Sequence, residues 1–416
     1  MGFPGTLPVA NEAAIEWGAK TALALNCSVN KFQRFDRKNY FYPDLPKGYQ
    51  ISQFFFPVGE HGQVSVDYLA GDRKTKKELT VGITRLHLEE DAGKLVHRGP
   101  SAGSGRLATL VDFNRCGTPL MEIVTEPDIG SPEEARAFMQ ELQRIVRALG
   151  VSYADMEKGH LRVDANVSVR PKGTEGLGTK IEVKNMNSFK FMEQALRYEI
   201  ERQIKVLEEG GALEQETRGW DEKTGTTLLQ RGKEGSIDYR YFPEPDLPPI
   251  ELTEAQIKKW GEALVALPSE LRAEAEKLGL SYNRVAELQD KGKLSFFVVV
   301  MGQAKNVDPI LAANFIDRFD DESSFISFIE VVSREHLSAS AAQKYLATGQ
   351  IGKAIDEAQA EKIAREVLDA NPDVVRRYQA GETKLLGWLT GQVMAKAKGG
   401  ADPALVQQIL RKLLTK

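Results

Sequence analysis

The chain has 416 residues, 42% of them hydrophobic and 27% charged, and a formal net charge of −4. This length predicts two or three domains, and the slightly acidic balance excludes a protein that binds nucleic acid through overall positive charge. The two cysteines, Cys27 and Cys116, are too few for a disulfide framework or a cysteine-rich zinc site, so we expect a reducing compartment.

No stretch of the sequence predicts a membrane span or a targeting segment. The longest apolar run, FFVVVM at residues 296–301, is far shorter than a membrane helix requires. The opening segment, MGFPGTLPVANEA, has neither the basic and apolar regions of a signal peptide nor the arginine-rich pattern of a transit peptide. We therefore expect a soluble, cytosolic protein.

Residues 35–53, FDRKNYFYPDLPKGYQISQ, combine basic, aromatic and small polar side chains around two prolines. Arginine and lysine beside aromatic rings can hold phosphate and stack a base. A tyrosine-rich hairpin rim or protein interface is the alternative. The side chains concerned are Arg37, Lys38, Tyr40, Tyr42, Tyr49, Ser52 and Gln53.

The alternation in residues 83–94, ITRLHLEEDAGK, predicts a strand whose leucines pack inward. Further along, Glu122 stands between Met121 and Ile123 in an apolar run, and a buried carboxylate requires a cation beside it. Mg²⁺ would suit that position, and an ion pair with Arg85 or Arg115 is the alternative. The polar side of the strand carries Arg85, His87 and Glu89, and Glu90 follows at its end.

Two helices are predicted, from caps at Ser131 and at Ser188. Between and around them, residues 161–170 and 180–185 alternate as strands, with a mixed polar face that is either solvent surface or a ligand cradle. After Pro249 the periodicity is helical, and four prolines in residues 241–252 predict a domain boundary. The polar side chains on and next to these strands include Arg162, Asp164, Asn166, Lys184, Asn185 and Asn187.

The motifs together, in their order along the chain, resemble the family of the aspartyl/glutamyl-tRNA amidotransferase B subunit (GatB). The blocks that carry the resemblance are FDRKNYFYPDLPKGYQISQ, ITRLHLEEDAGK, LRVDANVSVRP, KIEVKNMNSF, QETRGWDEKTGTT and DYRYFPEPDLPP, and it extends through GETKLLGWLTGQVMAKAKGGADPALV. No P-loop or dinucleotide fingerprint competes with this interpretation.

The resemblance implies an α+β fold: a cradle-shaped domain with a mixed or antiparallel sheet (1–251), an all-α helical domain (252–350) and a small YqeY-like tail (351–416) that contacts tRNA. It implies the cofactors ATP and Mg²⁺. The expected activity converts Glu-tRNA(Gln) or Asp-tRNA(Asn) into Gln-tRNA(Gln) or Asn-tRNA(Asn) through an acyl phosphate. The expected partners are the amidase subunit, which supplies ammonia from glutamine, and a small third subunit, in a heterotrimer.

By the same resemblance, Glu90 and Glu122 are expected to bind Mg²⁺, with Glu89 beside them as a catalytic residue. Lys38 and Arg85 are expected to neutralise the transferred phosphate. Predicted contacts to the nucleotide or to the acceptor end of tRNA are Tyr40, Tyr42, Ser52, Gln53, Arg162, Asp164, Asn166, Lys184, Asn185, Asn187 and Arg240.

Family members begin with a G-L-E-V-H strand whose Glu and His complete the metal site, and the sequence begins downstream of it. We expect that roughly forty residues are missing through a misplaced start or a truncation, because a strand that pairs within a sheet is rarely dispensable. A natural variant that serves only as a non-catalytic tRNA-binding scaffold is the alternative. A bacterial cytoplasmic location is expected. An organelle is the alternative, because the missing segment could have contained a transit peptide.

Overall fold

The structure, a computed structural model, describes residues 7–69, 75–98, 108–231, 238–350, 356–397, 401 and 403–414. The chain forms two compact units, Met1–Ser269 and Glu270–Lys416. All of the strands among the described residues lie in the first unit, and the second is helical. The predicted α+β class with a helical C-terminal part is therefore confirmed.

The largest sheet of the first unit has eight strands, in the order β1-β4-β5-β3-β2-β13, with β14 also pairing with β2 and β8 with β5. The long strand β5 is central, because β4 and then β3 pair with one of its edges while β8 pairs with the other. These strands are β1 (Ser28–Val29), β2 (Phe32–Asn39), β3 (Tyr49–Phe56), β4 (Gly59–Leu69), β5 (Lys76–Glu90), β8 (Pro119–Thr125), β13 (Phe242–Pro243) and β14 (Ile250–Glu251).

A second sheet has four strands in the order β12-β11-β10-β9, in which only β10 and β11 run parallel. The predicted strand at 161–170 is shorter than expected, but its alternation is correct, because Val167 is buried and Asn166 exposed. A separate hairpin joins β6 to β7. The bounds are β6 (Lys94–Arg98), β7 (Ala108–Asp112), β9 (Ala165–Val167), β10 (Ile181–Lys184), β11 (Glu216–Asp221) and β12 (Thr226–Arg231).

Both predicted helix starts are correct. Ser131 accepts a hydrogen bond from the Glu134 N–H, and Ser188 accepts one from the Phe191 N–H. The Glu134 carboxylate does not bond back to the Ser131 N–H, since it accepts hydrogen bonds from the Gly130 N–H and the Tyr68 hydroxyl. The helices of the first unit are α1 (Glu12–Ala24), α2 (Pro132–Ala148), α3 (Phe189–Glu208) and α4 (Glu254–Glu262), which cover one continuous apolar core with the sheets.

The proline-rich segment is not a linker in the structure. β13 and β14 add to the edge of β2, where proline is tolerated, and Trp260 of α4 packs against the core of the first unit. The division between units therefore falls after Ser269, whereas the sequence predicted it at 251. The second predicted boundary, between residues 350 and 351, adjoins residues 351–355, which lie outside the described part of the chain.

The second unit contains two separate apolar cores, one between Ala275 and Ala342 and one between Ala360 and Leu414. None of the helices among the described residues is both long and apolar enough to cross a bilayer. The helices are α5 (Pro268–Lys277), which begins at the division, α6 (Tyr282–Asp290), α7 (Leu294–Gln303), α8 (Pro309–Ala313), a 3-10 turn (Ile316–Arg318), α9 (Glu322–Arg334), α10 (Ala339–Thr348), α11 (Glu357–Ala370), α12 (Pro372–Gln379), α13 (Leu385–Lys396) and α14 (Pro403–Leu414).

Candidate functional site

The site is built on the last part of β5, where the predicted alternation is correct. Leu86 and Leu88 are buried in the core. Arg85, His87 and Glu89 share the opposite face, because side chains two positions apart in a strand point the same way. Glu89 is only 8% exposed although it lies on this polar face.

The neighbouring strand β8 brings Glu122 directly opposite His87. His87 Nε2 lies 3.8 Å from Glu89 Oε2 and 3.8 Å from Glu122 Oε2. One ligand atom from each of the three residues lies within 4.8 Å of the other two, a spacing compatible with a shared metal ion. Two buried atoms in this cluster, Glu89 Oε2 and His87 Nδ1, have no hydrogen-bond partner among the described residues. We call His87, Glu89 and Glu122 the carboxylate–histidine cluster.

Glu122 is not the buried carboxylate that its apolar neighbours suggested. Its side chain is 46% exposed, because β8 is an edge strand and Glu122 lies on the open face of the sheet. The alternative partner Arg115 instead forms an ion pair with Asp91 at 3.1 Å. The argument from burial was therefore wrong, although the structure does place a carboxylate and an imidazole next to Glu122.

Glu90 points away from the carboxylate–histidine cluster. As the next residue after Glu89 in a strand, it projects to the other face of the sheet. Its Oε1 accepts a hydrogen bond from the Ile51 N–H at 2.8 Å and pairs with Lys47. Glu89, predicted as a catalytic neighbour, thus occupies the position that was predicted for Glu90.

The two predicted phosphate-neutralising cations, Lys38 and Arg85, each lie against an aromatic ring. The Lys38 ammonium lies 5.0 Å from the centre of the Tyr239 ring, and the Arg85 guanidinium 5.5 Å from that of Phe54. Arg85 Nε is buried without a hydrogen-bond partner among the described residues. A cation packed against an aromatic ring can still direct its hydrogen-bond donors to an anion.

Aromatic residues that the sequence did not single out line the same face. Tyr241 stacks on Phe54, with ring centres 4.0 Å apart. Burial, followed by Tyr239 and the nearby carboxylates Glu89 and Glu122, raises the pKa of Tyr241. Tyr241 precedes β13, which pairs with β2, so only the pairing of distant segments brings it to the site.

Three of the predicted nucleotide contacts, Tyr40, Tyr42 and Arg240, differ in their surroundings. Burial and the carboxylates Asp44 and Glu89 raise the pKa of Tyr40 to about 12, and this residue lies beside the cluster. Tyr42 lies in the exposed turn that follows β2, and Arg240 is exposed with a backbone φ of +46°. Their predicted roles in binding stay predictions.

Ser52 and Gln53 are buried, so they do not form the open binding surface that the sequence suggested. Gln53 Oε1 accepts from the Leu88 N–H at 2.9 Å. The Arg37 guanidinium is also engaged within the protein, because it donates to both carboxylate oxygens of Glu244 at 2.8 Å. A bidentate pair of this kind fastens the proline-rich segment to β2.

The predicted second polar face is present and lies on the sheet β9–β12 and the segment before it. Arg162 donates to the buried Asp91 at 2.6 Å and so ties this region to the end of β5. Burial works against a charged Lys184, but its hydrogen bond to Asp164 and the nearby Glu182 outweigh it and raise the pKa of Lys184. The predicted amides on this face, Asn166, Asn185 and Asn187, are exposed.

Known protein families match both units of the chain. The family model described as the GatB/GatE catalytic domain matches residues 1–258, and a second one, the YqeY-related GatB domain, matches 317–414. The chain is 43% identical over its whole length to the B subunit of the aspartyl/glutamyl-tRNA(Asn/Gln) amidotransferase of Crocosphaera subtropica, covering 90% of that protein. It is 44% identical to the protein of the same name in Trichodesmium erythraeum, with the same coverage.

The chain belongs to the GatB family. The resemblance inferred from the ordered motifs and the helical YqeY-like C-terminal part are thereby confirmed. The GatB domain match begins at residue 317, before the tail predicted at 351–416. Within that tail, Lys396 pairs with Glu366 at 2.7 Å, and residues 398–400 and 415–416 lie outside the described part of the chain.

The carboxylate–histidine cluster fits a divalent cation. Positive charge is favoured beside two carboxylates that face one imidazole nitrogen, and a buried oxygen without a partner is costly unless a ligand satisfies it. Carboxylate oxygens suit Mg²⁺, and an imidazole is also accepted by Mn²⁺ and Zn²⁺. His87 was assigned to the polar face from sequence but not as a ligand, although the alternation alone places it beside Glu89.

Proposed function

We propose that this GatB-family chain carries the ATP-dependent transamidation of misacylated tRNA. The γ-phosphoryl group of ATP passes to the side-chain carboxylate of the Glu or Asp esterified to tRNA, which forms an acyl phosphate and releases ADP. Ammonia then attacks the acyl carbon, and the C–O bond to phosphate breaks to leave the amide. The observation that carries this proposal is the carboxylate–histidine cluster, with Arg85 on the same face of β5.

The chain's own residues position charge for this chemistry. Phosphoryl transfer requires a polyanion and a carboxylate nucleophile to approach each other, and catalysis consists mainly of orientation and neutralisation. Lys38 and Arg85 would donate to the oxygens of the transferred phosphoryl group. Each cation lies against an aromatic ring, Lys38 against Tyr239 and Arg85 against Phe54.

His87, Glu89 and Glu122 would hold Mg²⁺. When bound, this ion supplies charge that screens the nucleophilic carboxylate from the phosphates of ATP. Glu89 contributes an oxygen that is already desolvated, and the half-exposed Glu122 is accessible from the open face of the sheet. Glu90 has no place in this ligand set.

The exposed polar face with Arg162, Lys184 and Asn166 supports contact with the acceptor end of tRNA. Ammonia would come from glutamine through the amidase subunit, and a small third subunit would complete a heterotrimer. Relatives that are named as the B subunit of an amidotransferase imply a multi-subunit assembly for those proteins. We place the chain in the bacterial cytoplasm as part of the same proposal.

The test is amide formation by the reconstituted three-subunit complex with Glu-tRNA(Gln), ATP and glutamine, with ADP release measured in parallel. Glu122→Ala is expected to lower both products together, because the loss of a ligand affects the first step. Ammonium chloride in place of glutamine should not restore the variant, since the ammonia supply is intact.

Glu126→Ala is the matched control. Glu126 is an exposed carboxylate immediately after β8, and it accepts a hydrogen bond from Thr84 at 2.7 Å, away from the cluster. It should leave both products unchanged. Intact amide formation by Glu122→Ala would overturn the assignment, and a complex that binds tRNA but never releases ADP would favour a scaffold role.

A further inference from the structure

The strand pairing next to Glu89 is incomplete. β3 and β5 share a single register pair, Ser52 with Glu89, whereas β5 pairs with β4 and β8 over many residues. Backbone groups on both sides of that pair are satisfied by side chains. Leu88 N–H donates to Gln53 Oε1 at 2.9 Å, and Gln50 Nε2 donates to the Glu90 carbonyl at 2.8 Å.

The third bridge crosses in the opposite direction. Glu90 Oε1 accepts from the Ile51 N–H at 2.8 Å, so the carboxylate of β5 holds the backbone of β3. Gln50, Gln53 and Glu90 therefore form three side-chain bridges around the one residue pair that contains Glu89. We call these three residues the clasp.

The clasp is itself fixed by further contacts. Gln53 Nε2 donates to Gln33 Oε1 at 3.4 Å, and Gln33 Nε2 donates to the Asn30 carbonyl at 3.1 Å. Both of these glutamines are fully buried. A buried amide whose two ends are both used cannot rotate without leaving a polar group unsatisfied. On the other side, Lys47 pairs with Glu90.

A regular ladder would satisfy the same backbone groups without polar side chains. The clasp instead fixes the backbone on each side of Glu89, while an oxygen of the Glu89 carboxylate has no partner among the described residues. The bridges on Leu88 and Glu90 thus determine the direction in which the Glu89 side chain leaves the strand. Residues that orient a metal ligand typically change metal affinity by about 10–100-fold when removed.

We propose that Gln50, Gln53 and Glu90 are positioning residues, which orient Glu89 for a divalent cation through the backbone of β5. Glu90 acts through its hydrogen bond to Ile51 and is not a ligand. This inference rests on the proposed function, since it assumes that the carboxylate–histidine cluster binds a cation.

The experiment titrates Mn²⁺ into the purified full chain and its variants and follows binding by electron paramagnetic resonance. Glu90→Gln keeps an oxygen for the Ile51 N–H, and its Mn²⁺ dissociation constant should stay within about threefold of the parent value. Glu90→Leu and Gln53→Leu remove their bridges and should raise that constant by about tenfold or more. Glu89→Gln removes a ligand and should abolish binding.

Gln203→Leu is the matched control, because Gln203 is an equally buried glutamine in α3 that donates to Glu199 at 3.0 Å. It should lower the melting temperature and leave the Mn²⁺ affinity unchanged. If Gln53→Leu does not fold, Gln50→Met tests the bridge to the Glu90 carbonyl from a position nearer the surface.

Two results would overturn the proposal. If Glu90→Gln loses Mn²⁺ as completely as Glu89→Gln, Glu90 is a ligand. If Gln53→Leu, or Gln50→Met in its place, binds Mn²⁺ with parent affinity and only melts earlier, the bridge is structural. Parent-like binding by Glu89→Gln would instead contradict the proposed function, so the two failures can be told apart.

Discussion

Two carboxylates of the first unit, Glu199 and Glu89, are both buried and yet differ in every contact. Glu199, on α3, is 0% exposed and accepts hydrogen bonds from Arg202 at 2.7 Å, Thr227 at 2.8 Å and Gln203 at 3.0 Å. Glu89, on β5, is 8% exposed, faces a second carboxylate and has an oxygen without a partner among the described residues.

The difference separates a carboxylate whose oxygens are both satisfied within the protein from one with an unsatisfied oxygen. A buried charge is tolerated when hydrogen bonds and an opposite charge replace its hydration, as they do for Glu199. Burial raises the pKa of Glu199, but the hydrogen bonds from Arg202, Gln203 and Thr227 outweigh it, and the net pKa is lowered. Burial alone therefore does not distinguish the two carboxylates. The number of carboxylate oxygens with a hydrogen-bond partner does.

The largest effect is expected for Glu89→Gln. Loss of a cation ligand should lower amide formation by the reconstituted complex on the order of 10²–10³-fold, since a bound cation contributes several kcal/mol. The melting temperature should not fall, because the substitution removes one of two facing carboxylates. If Glu89→Gln instead unfolds more readily and keeps its activity per folded molecule, Glu89 has a structural role like that of Glu199.

Glu199→Ala should give the opposite pattern. It removes the buried carboxylate from Arg202 and Arg218, which then pair only with Glu216. It should lower the free energy of unfolding by about 3 kcal/mol, the lower end of the usual cost of breaking a buried ion pair. Urea unfolding measures this loss. Amide formation per folded molecule should remain near the parent value. A loss of activity as large as that of Glu89→Gln would show that the two carboxylates do not differ in role.

Lys38→Met tests the polar face with a smaller change. Its ammonium lies against the Tyr239 ring, and its loss should lower ADP release by about tenfold with little effect on melting. Lys20→Met is the control, because Lys20 pairs with Glu16 within α1 at 2.5 Å. Equal effects of the two substitutions would mean that Lys38 is an ordinary surface charge.

The smallest effect is a pH dependence of stability. Because the folded pKa of Glu199 is lowered, its contribution is complete above the ordinary value of 4.5 and is lost as the pH falls toward the folded pKa. The difference in stability between the parent and Glu199→Gln, measured by urea unfolding, should therefore shrink as the pH falls below 4.5. Parallel curves over the whole range would contradict the lowered pKa.

Local patterns predicted much of this fold. The caps at Ser131 and Ser188 and the alternation around Leu86 and Leu88 depend on residues close in sequence, and they are correct. The true division between the units was not found, because the packing of Trp260 against a core formed by distant segments leaves no local pattern.

The candidate site was predicted in part for the same reason. Alternation placed His87 and Glu89 on one face, but the register of β8 against β5 decides that Glu122 meets His87. Glu90 could not be separated from Glu89 by residue type, since only the fold shows that Glu90 accepts from the Ile51 N–H. Tyr241 reaches the site through β13, which no short motif predicts.

The late strands β13 and β14 also set an order for assembly of the first sheet. Both pair with β2, and the Arg37–Glu244 pair that accompanies them joins residues 207 positions apart. During synthesis the edge of β2 stays uncovered until residue 251 has left the ribosome, and an uncovered edge readily pairs with other chains. A chain released before that point would keep the edge of β2 exposed and would be prone to aggregate, whereas β13 and β14 cover that edge in the folded protein.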